Sequence, residues 1–111
     1  RKGEMMMDRI LKLQQKVSII GDVRGKGLMI GVEFIDPNGP RDLMGIPEPS
    51  GEIAALVQRK CFENRLIMER GGRNGSVMRC LCPLNISDAD IDTAMTIFEK
   101  VVGEVDEGYR N

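Results

Sequence analysis

The chain has 111 residues, enough for one domain or for part of a larger one. Its 16 basic and 17 acidic side chains leave a formal charge of −1, which removes a general attraction to nucleic acid or to acidic membrane surfaces. Hydrophobic residues make up 41% but aromatics only 4%, so Leu, Ile, Val and eight Met have to fill the interior.

Residues 4–17, EMMMDRILKLQQKV, place Met6, Ile10, Leu13 and Val17 on one side of a helix, with Met7 and Leu11 widening the stripe. Lys12, Gln15 and Lys16 turn to water, and the run of methionines reads as core filler. Residues 21–27, GDVRGKG, hold three glycines and are expected to break the helix. In LMIGVEFI at 28–35, Leu28, Ile30, Val32 and Phe34 alternate with Met29, Gly31, Glu33 and Ile35, the pattern of a strand. DPNGP at 36–40 ends it with turn chemistry, and the irregular stretch up to Glu48 and Pro49 is expected to be a surface loop.

Ser50 stands where it caps a helix over 51–65, with Glu52 in the first turn and Ile53, Leu56, Val57 and Cys61 as the buried stripe. LIME at 66–69 predicts a short strand, RGGRNG at 70–75 a turn, and SVMRCLCP at 76–83 a third strand. Ser87 opens the last helix, with Asp90 as its capping-box partner. Ile91, Met95, Phe98 and Val102 line its inner face, and the polar GEVDEGYRN is expected to fray from its end. This order predicts an α+β fold: a small, mostly antiparallel three-stranded sheet with helices on one face.

Several motifs fail on context. GKGLMIG at 25–31 has glycines like those of a dinucleotide-binding fingerprint, but that motif needs a strand before it and a helix after it. Gly25 and Gly27 are expected to set the path into the strand, and Gly31 to admit a close approach by a backbone or a ligand. Asp88, Asp90, Asp92 and Glu99 match the acidic positions of a calcium loop, yet Thr93 stands where the loop turn needs Gly. Three cysteines, Cys61, Cys80 and Cys82, and no histidine fall short of a tetrahedral zinc site and of a Cys–His nucleophile. Their uneven spacing argues against a disulfide framework, and all three are expected as small buried hydrophobes in a reducing cytoplasm. No signal peptide is evident, no run is apolar enough to span a bilayer, and the start at Arg1 predicts a piece of a longer protein. No metal ligand and no catalytic residue is assigned.

Arg79 is the one charge in VMRCLCPL, residues 77–84. Val77, Arg79, Leu81 and Pro83 share one strand face; Met78, Cys80, Cys82 and Leu84 share the other, which should meet the helices. Arg79 is thus left on the outward face. It is either a solvated arginine or a guanidinium covered by a larger protein, holding a carboxylate through two parallel hydrogen bonds.

The blocks IGDVRGKGLMIGVEF, GEIAALVQRKCFENRLIMERGG and VMRCLCPLNISDADIDTAMTIFEKVV resemble, in order and spacing, the C-terminal segment of class III aminotransferases. These are the pyridoxal-phosphate enzymes that include the ornithine and 4-aminobutyrate aminotransferases. The match covers nearly the whole chain, and within the family DPNGP and LIMERGGRNGSVMRCLCPL look most like diaminobutyrate–2-oxoglutarate aminotransferases. Where many members carry Pro-Pro, this chain has Cys82-Pro83.

The resemblance implies a C-terminal small α+β domain of the aspartate aminotransferase fold type over residues 1–111, packed against a large cofactor-binding domain of the same parent chain. The Schiff-base lysine, the ring-stacking aromatic and the aspartate on the pyridine nitrogen would belong to that absent large domain, as would the bound pyridoxal phosphate. In the family the arginine of the R-x-L-x-P-L motif binds a substrate carboxylate or pairs with a glutamate. Arg79 occupies that place and is the expected substrate-binding residue. Gly25, Gly27, Arg70 and Arg73 are candidates for lining the cleft, although Gly71 and Gly72 read first as a hairpin turn. The implied reaction moves an amino group between L-2,4-diaminobutyrate and 2-oxoglutarate in a homodimeric parent, with residues 1–111 inactive alone. The alternative is a free-standing α+β ligand- or protein-binding module that uses Arg79 as an anion site.

Overall fold

The computed structural model describes residues 2–26, 29–72, 75–81 and 87–109. Helix α1 (Lys2–Gln14) is followed by strands β1 (Ile20–Lys26) and β2 (Met29–Phe34), helix α2 (Gly51–Glu63), strands β3 (Glu69–Gly71) and β4 (Val77–Leu81), and helix α3 (Asp88–Tyr109). The strands form one antiparallel sheet in the order β1-β2-β4-β3. Helices α1 and α2 pack on its inner face, and α3 packs against both helices. Among the described residues, no helix is long and apolar enough to cross a membrane.

The α+β class is as expected, but the sheet has four strands rather than three. The additional strand is β1, drawn from the glycine-rich stretch expected only to break the helix. Its glycines serve packing instead. Gly25 lies opposite Ile30 on the inner face, and a Cβ there would come 2.7 Å from Met7 Cε of α1. Its alternation is hidden because Val23 is the one large apolar residue it turns inward between Ile20 and Lys26. A register shift between Ile20 and Asp22 accommodates Gly21.

Other boundaries moved for similar reasons. Residues 66–68 are not strand; β3 begins at Glu69 and takes in Arg70 and Gly71, which pair with Met78 and Val77. Beyond β3, Gly72 (φ +73°) and Gly75 (φ +67°) take backbone values that glycine tolerates, and Gly75 N donates to Gly72 O at 3.2 Å. The C-terminal helix does not fray at residue 103. Val105 continues its apolar stripe, and Asp106, only 2% exposed, accepts hydrogen bonds from the Ser18 backbone N and Oγ, both at 2.7 Å. That carboxylate ties the α1–β1 connection to the last helix.

The helix stripes hold with two corrections. Met6, Ile10 and Leu13 are buried, but Leu11 is 42% exposed and Val17 lies past the end of α1. Ser50 Oγ accepts from Ile53 N at 3.1 Å, and Ser87 Oγ from Asp90 N at 3.1 Å, so both N-terminal caps form. Asp92 and Glu99, two of the calcium-loop candidates, lie in α3 and pair with Arg9 of α1 at 2.7 and 2.8 Å. Hydrogen bonding to Glu99 raises the pKa of that guanidinium, and Asp92 adds to the effect. Cys61 is buried, and desolvation pushes its thiol up to about 11, so it stays protonated at neutral pH. Cys82 and the Pro83–Leu84 stretch lie outside the described residues.

Phe34 of β2 and Phe98 of α3 are both fully buried, with ring centroids 6.5 Å apart in an edge-to-face arrangement. They join the sheet to the outer helix. Phe98→Ala is expected to cost about 3–5 kcal/mol in urea unfolding of the chain. Phe62→Ala, on an exposed site, should stay within about 0.5 kcal/mol.

Candidate functional site

Antiparallel pairing sets Arg24 of β1 opposite Gly31 of β2, and Gly31 opposite Arg79 of β4. Glu69 of β3 extends the same row beyond Arg79. A parallel row on the outward face holds Asp22, Glu33, Val77 and Gly71. The face the helices leave uncovered is therefore not uniformly apolar: it carries one acidic and one basic band, with Val77 and Met29 among them.

Arg79 is exposed, and its guanidinium lies over Gly71, where a Cβ would fall 2.5 Å from Nη2. It makes no ion pair with Glu69, and no described residue accepts a hydrogen bond from it. Arg24 differs. Its Nε donates to Asp22 Oδ2 at 2.6 Å, one turn of the strand pleat away.

The stretch expected as a surface loop folds back over this face. Ile35 bridges to Pro49 and Arg41 to Pro47. Asp42 Oδ1 accepts from the backbone N of Met44 at 2.8 Å and of Ile46 at 3.0 Å, and Gly45 takes φ +80°. Between loop and sheet lies a cleft of about 910 Å³. The sheet contributes Asp22, Arg24, Gly25, Gly31, Glu33, Val77 and Arg79; the loop contributes Asp42, Ile46, Pro47 and Glu48.

Of the residues singled out from sequence, Arg79, Gly25 and Gly31 line this cleft. Arg70 does not. It pairs with Met78 on the inner side of the sheet, and its Nε donates to Gln58 Oε1 of α2 at 3.0 Å and its Nη1 to Gly75 O at 3.1 Å. Gly27 and Arg73 lie outside the described residues. Sequence reading missed Asp22, Arg24, Glu33 and the loop acids. The signal was present: once residues 20–26 are a strand, period two puts Asp22 and Arg24 on the Arg79 face.

The cleft lining carries two guanidinium groups, Arg24 and Arg79, beside four carboxylates, Asp22, Glu33, Asp42 and Glu48. Its described lining includes no lysine, no aromatic ring and no thiol. It therefore does not fit a pyridoxal ring by itself, which needs an amine to anchor it and a surface to stack on.

The fold is that of aminotransferases. A transaminase from the marine bacterium Virgibacillus superposes with a TM-score of 0.80 over 97% of this chain and 24% of its own, at 22% identity. The family model for class-III aminotransferases matches residues 1–102, and the chain belongs to that family. It is 46% identical over 90 residues to a diaminobutyrate–2-oxoglutarate aminotransferase of Rhizobium meliloti, covering 81% of this chain and 19% of the relative. It is 37% identical over 101 residues to the enzyme of that name from Haemophilus influenzae, covering 91% of this chain and 22% of the relative. The chain thus spans about a fifth of the length of these relatives.

Gly71→Ala places a methyl group against the end of a flexible side chain, so it should move the Arg79 guanidinium without unfolding the sheet. Unfolding free energy is expected to change by less than about 1 kcal/mol, while the Arg79 Nε–Hε resonance shifts in NMR spectra. An unmoved resonance would place the guanidinium elsewhere.

Proposed function

We propose that residues 1–111 are the C-terminal small domain of a pyridoxal-phosphate-dependent aminotransferase, and that Arg79 binds a substrate carboxylate. The observation that carries this reading is Arg79 itself: an exposed guanidinium without an acceptor among the described residues, on the wall of a cleft. A planar fork with five donors is best satisfied by a carboxylate. The class-III family match and the aminotransferase fold support the enzyme assignment.

The narrower reading is amino transfer between L-2,4-diaminobutyrate and 2-oxoglutarate. Its support is the two relatives of that name, at 46% and 37% identity. Other relatives are named as an alanine/serine racemase and an acetylornithine aminotransferase, at 39% and 35% identity. The carboxylate is common to all these amino acids, which suits a role for Arg79 in general anchoring rather than in choosing the side chain. When bound, pyridoxal phosphate supplies the electron sink for amino transfer. A large domain of the same parent chain holds it on this reading, and residues 1–111 alone are inactive. This chain contributes one wall of the cleft and the guanidinium that orients the substrate, in a dimeric cytoplasmic parent.

In the full-length parent, Arg79→Ala should lower kcat/KM for 2-oxoglutarate on the order of 30- to 1000-fold, as expected when one partner of a desolvated charge pair is removed. Arg79→Lys should recover part of the loss, because an ammonium lacks the planar fork. Cofactor absorbance should be unchanged. Kinetics within about twofold of wild type for both substrates, the behaviour of a surface substitution, would remove Arg79 from the site.

A further inference from the structure

The connection between β2 and α2 carries three large apolar side chains out to solvent. Leu43 is fully exposed, Met44 largely so, and Ile46 by more than half. A slack loop would fold such side chains onto the nearest apolar surface. This loop is braced instead. Asp42 Oδ1 accepts from the backbone N of Met44 and of Ile46, Asp42 N donates to Ile46 O at 3.0 Å, and Gly45 N donates to Asp42 O at 2.9 Å. Arg41 Nη1 donates to Gly45 O at 3.0 Å and its Nη2 to Pro37 O at 3.3 Å. Lower down, Glu48 N donates to Pro40 O at 3.2 Å, and Asn38 Nδ2 donates to Tyr109 O, at the end of α3, at 2.7 Å. The tip is therefore fixed in shape with its apolar groups held in solvent.

We infer that Leu43, Met44 and Ile46 form a preset knob that seats in an apolar pocket of the parent chain outside residues 1–111; this rests on the small-domain reading above. A preset shape is what an inserted anchor needs, because its ordering cost is met before contact. Residues 43–46 carry no charge, so the receiving pocket offers apolar contact. Two observations select the occupant. The chain spans about a fifth of the length of its relatives, so on that reading most of the parent lies outside it. The knob also stands on the outward side: Ile46, Pro47 and Glu48 line the cleft together with exposed Met29 of the sheet. Tip and sheet face make one continuous surface, on the side the helices leave uncovered. Phe62 and Ile67, the other exposed apolar pair, line a separate groove with Ala55 and Gln58 of α2.

The test is photo-cross-linking in the full-length parent, with a diazirine amino acid in place of Leu43. Illumination should join the tip to its own chain, so that the product runs at the monomer position on a denaturing gel. Peptide mass spectrometry should place the other end of the link outside residues 1–111. A band at twice the chain mass would make the occupant a second copy, and a diazirine quenched only by water would mean an open tip; either result overturns the inference. Asp42→Ala frees the N–H groups of Met44 and Ile46 and should lower the yield of the link several-fold. Asp42→Asn keeps an acceptor oxygen and should retain most of it. Equal yields from the two variants would show that the tip is not preset. An intrachain link in a parent that transfers no amino group would overturn the aminotransferase reading and leave the knob standing. An active aminotransferase with an open tip would do the reverse.

Discussion

Strand β2 is hydrogen-bonded on both edges, to β1 and to β4, so its register decides which side chains share each face of the sheet. Ile30, Val32 and Phe34 are all buried against the helices. A slip of one residue would exchange them for Gly31 and Glu33 together with either Met29 or Ile35. Burial of each large apolar side chain contributes about 1.5–3 kcal/mol, so the slipped arrangement does not compete. The same register that fills the core therefore sets Arg24, Gly31 and Arg79 in one row on the other face. Core packing thus positions Arg24 and Arg79, although neither takes part in the core.

The helix layer holds that register in place. Phe98 meets Phe34 from behind, Arg9 joins α1 to α3 through Asp92 and Glu99, and Asp106 fastens the turn before β1. These contacts all lie on the inner side. The outward side has a loop folded against one margin and two charged bands across the strands. Met29 is 61% exposed there, and Met44 at the loop tip is 83% exposed. Large apolar side chains beside the unpaired guanidinium of Arg79 suit a surface that meets another part of a protein.

How much of this was readable from sequence depended on how apolar each segment is. The stripe Met6–Ile10–Leu13 and the alternation Ile30–Val32–Phe34 were plain, because core-facing positions there carry large hydrophobes. Strand β1 was hidden, because α1 approaches so closely that Gly25 stands where a hydrophobe would have revealed the period. Missing β1 also hid Arg24 and Asp22 as companions of Arg79. Arg70 was misleading in the other direction: it sits in a loop-like sequence but forms strand, and its hydrogen bond to Gln58 turns it to the helix side. The extension of α3 past residue 103 depends on the tertiary partner of Asp106, which no local pattern displays. The outward placement of Arg79 was legible from its isolation among apolar neighbours.

An enclosed site at Arg79 requires the outward sheet face to be covered in the intact parent. Methionine oxidation measures this directly, with Met29 as the reporter and buried Met68, 7% exposed, as the slow reference. Under brief hydroxyl-radical exposure, Met29 should oxidise readily in the isolated chain and several-fold more slowly in the full-length protein. Equal oxidation of Met29 in the two would mean that this face stays open to solvent and that Arg79 does not belong to an enclosed site.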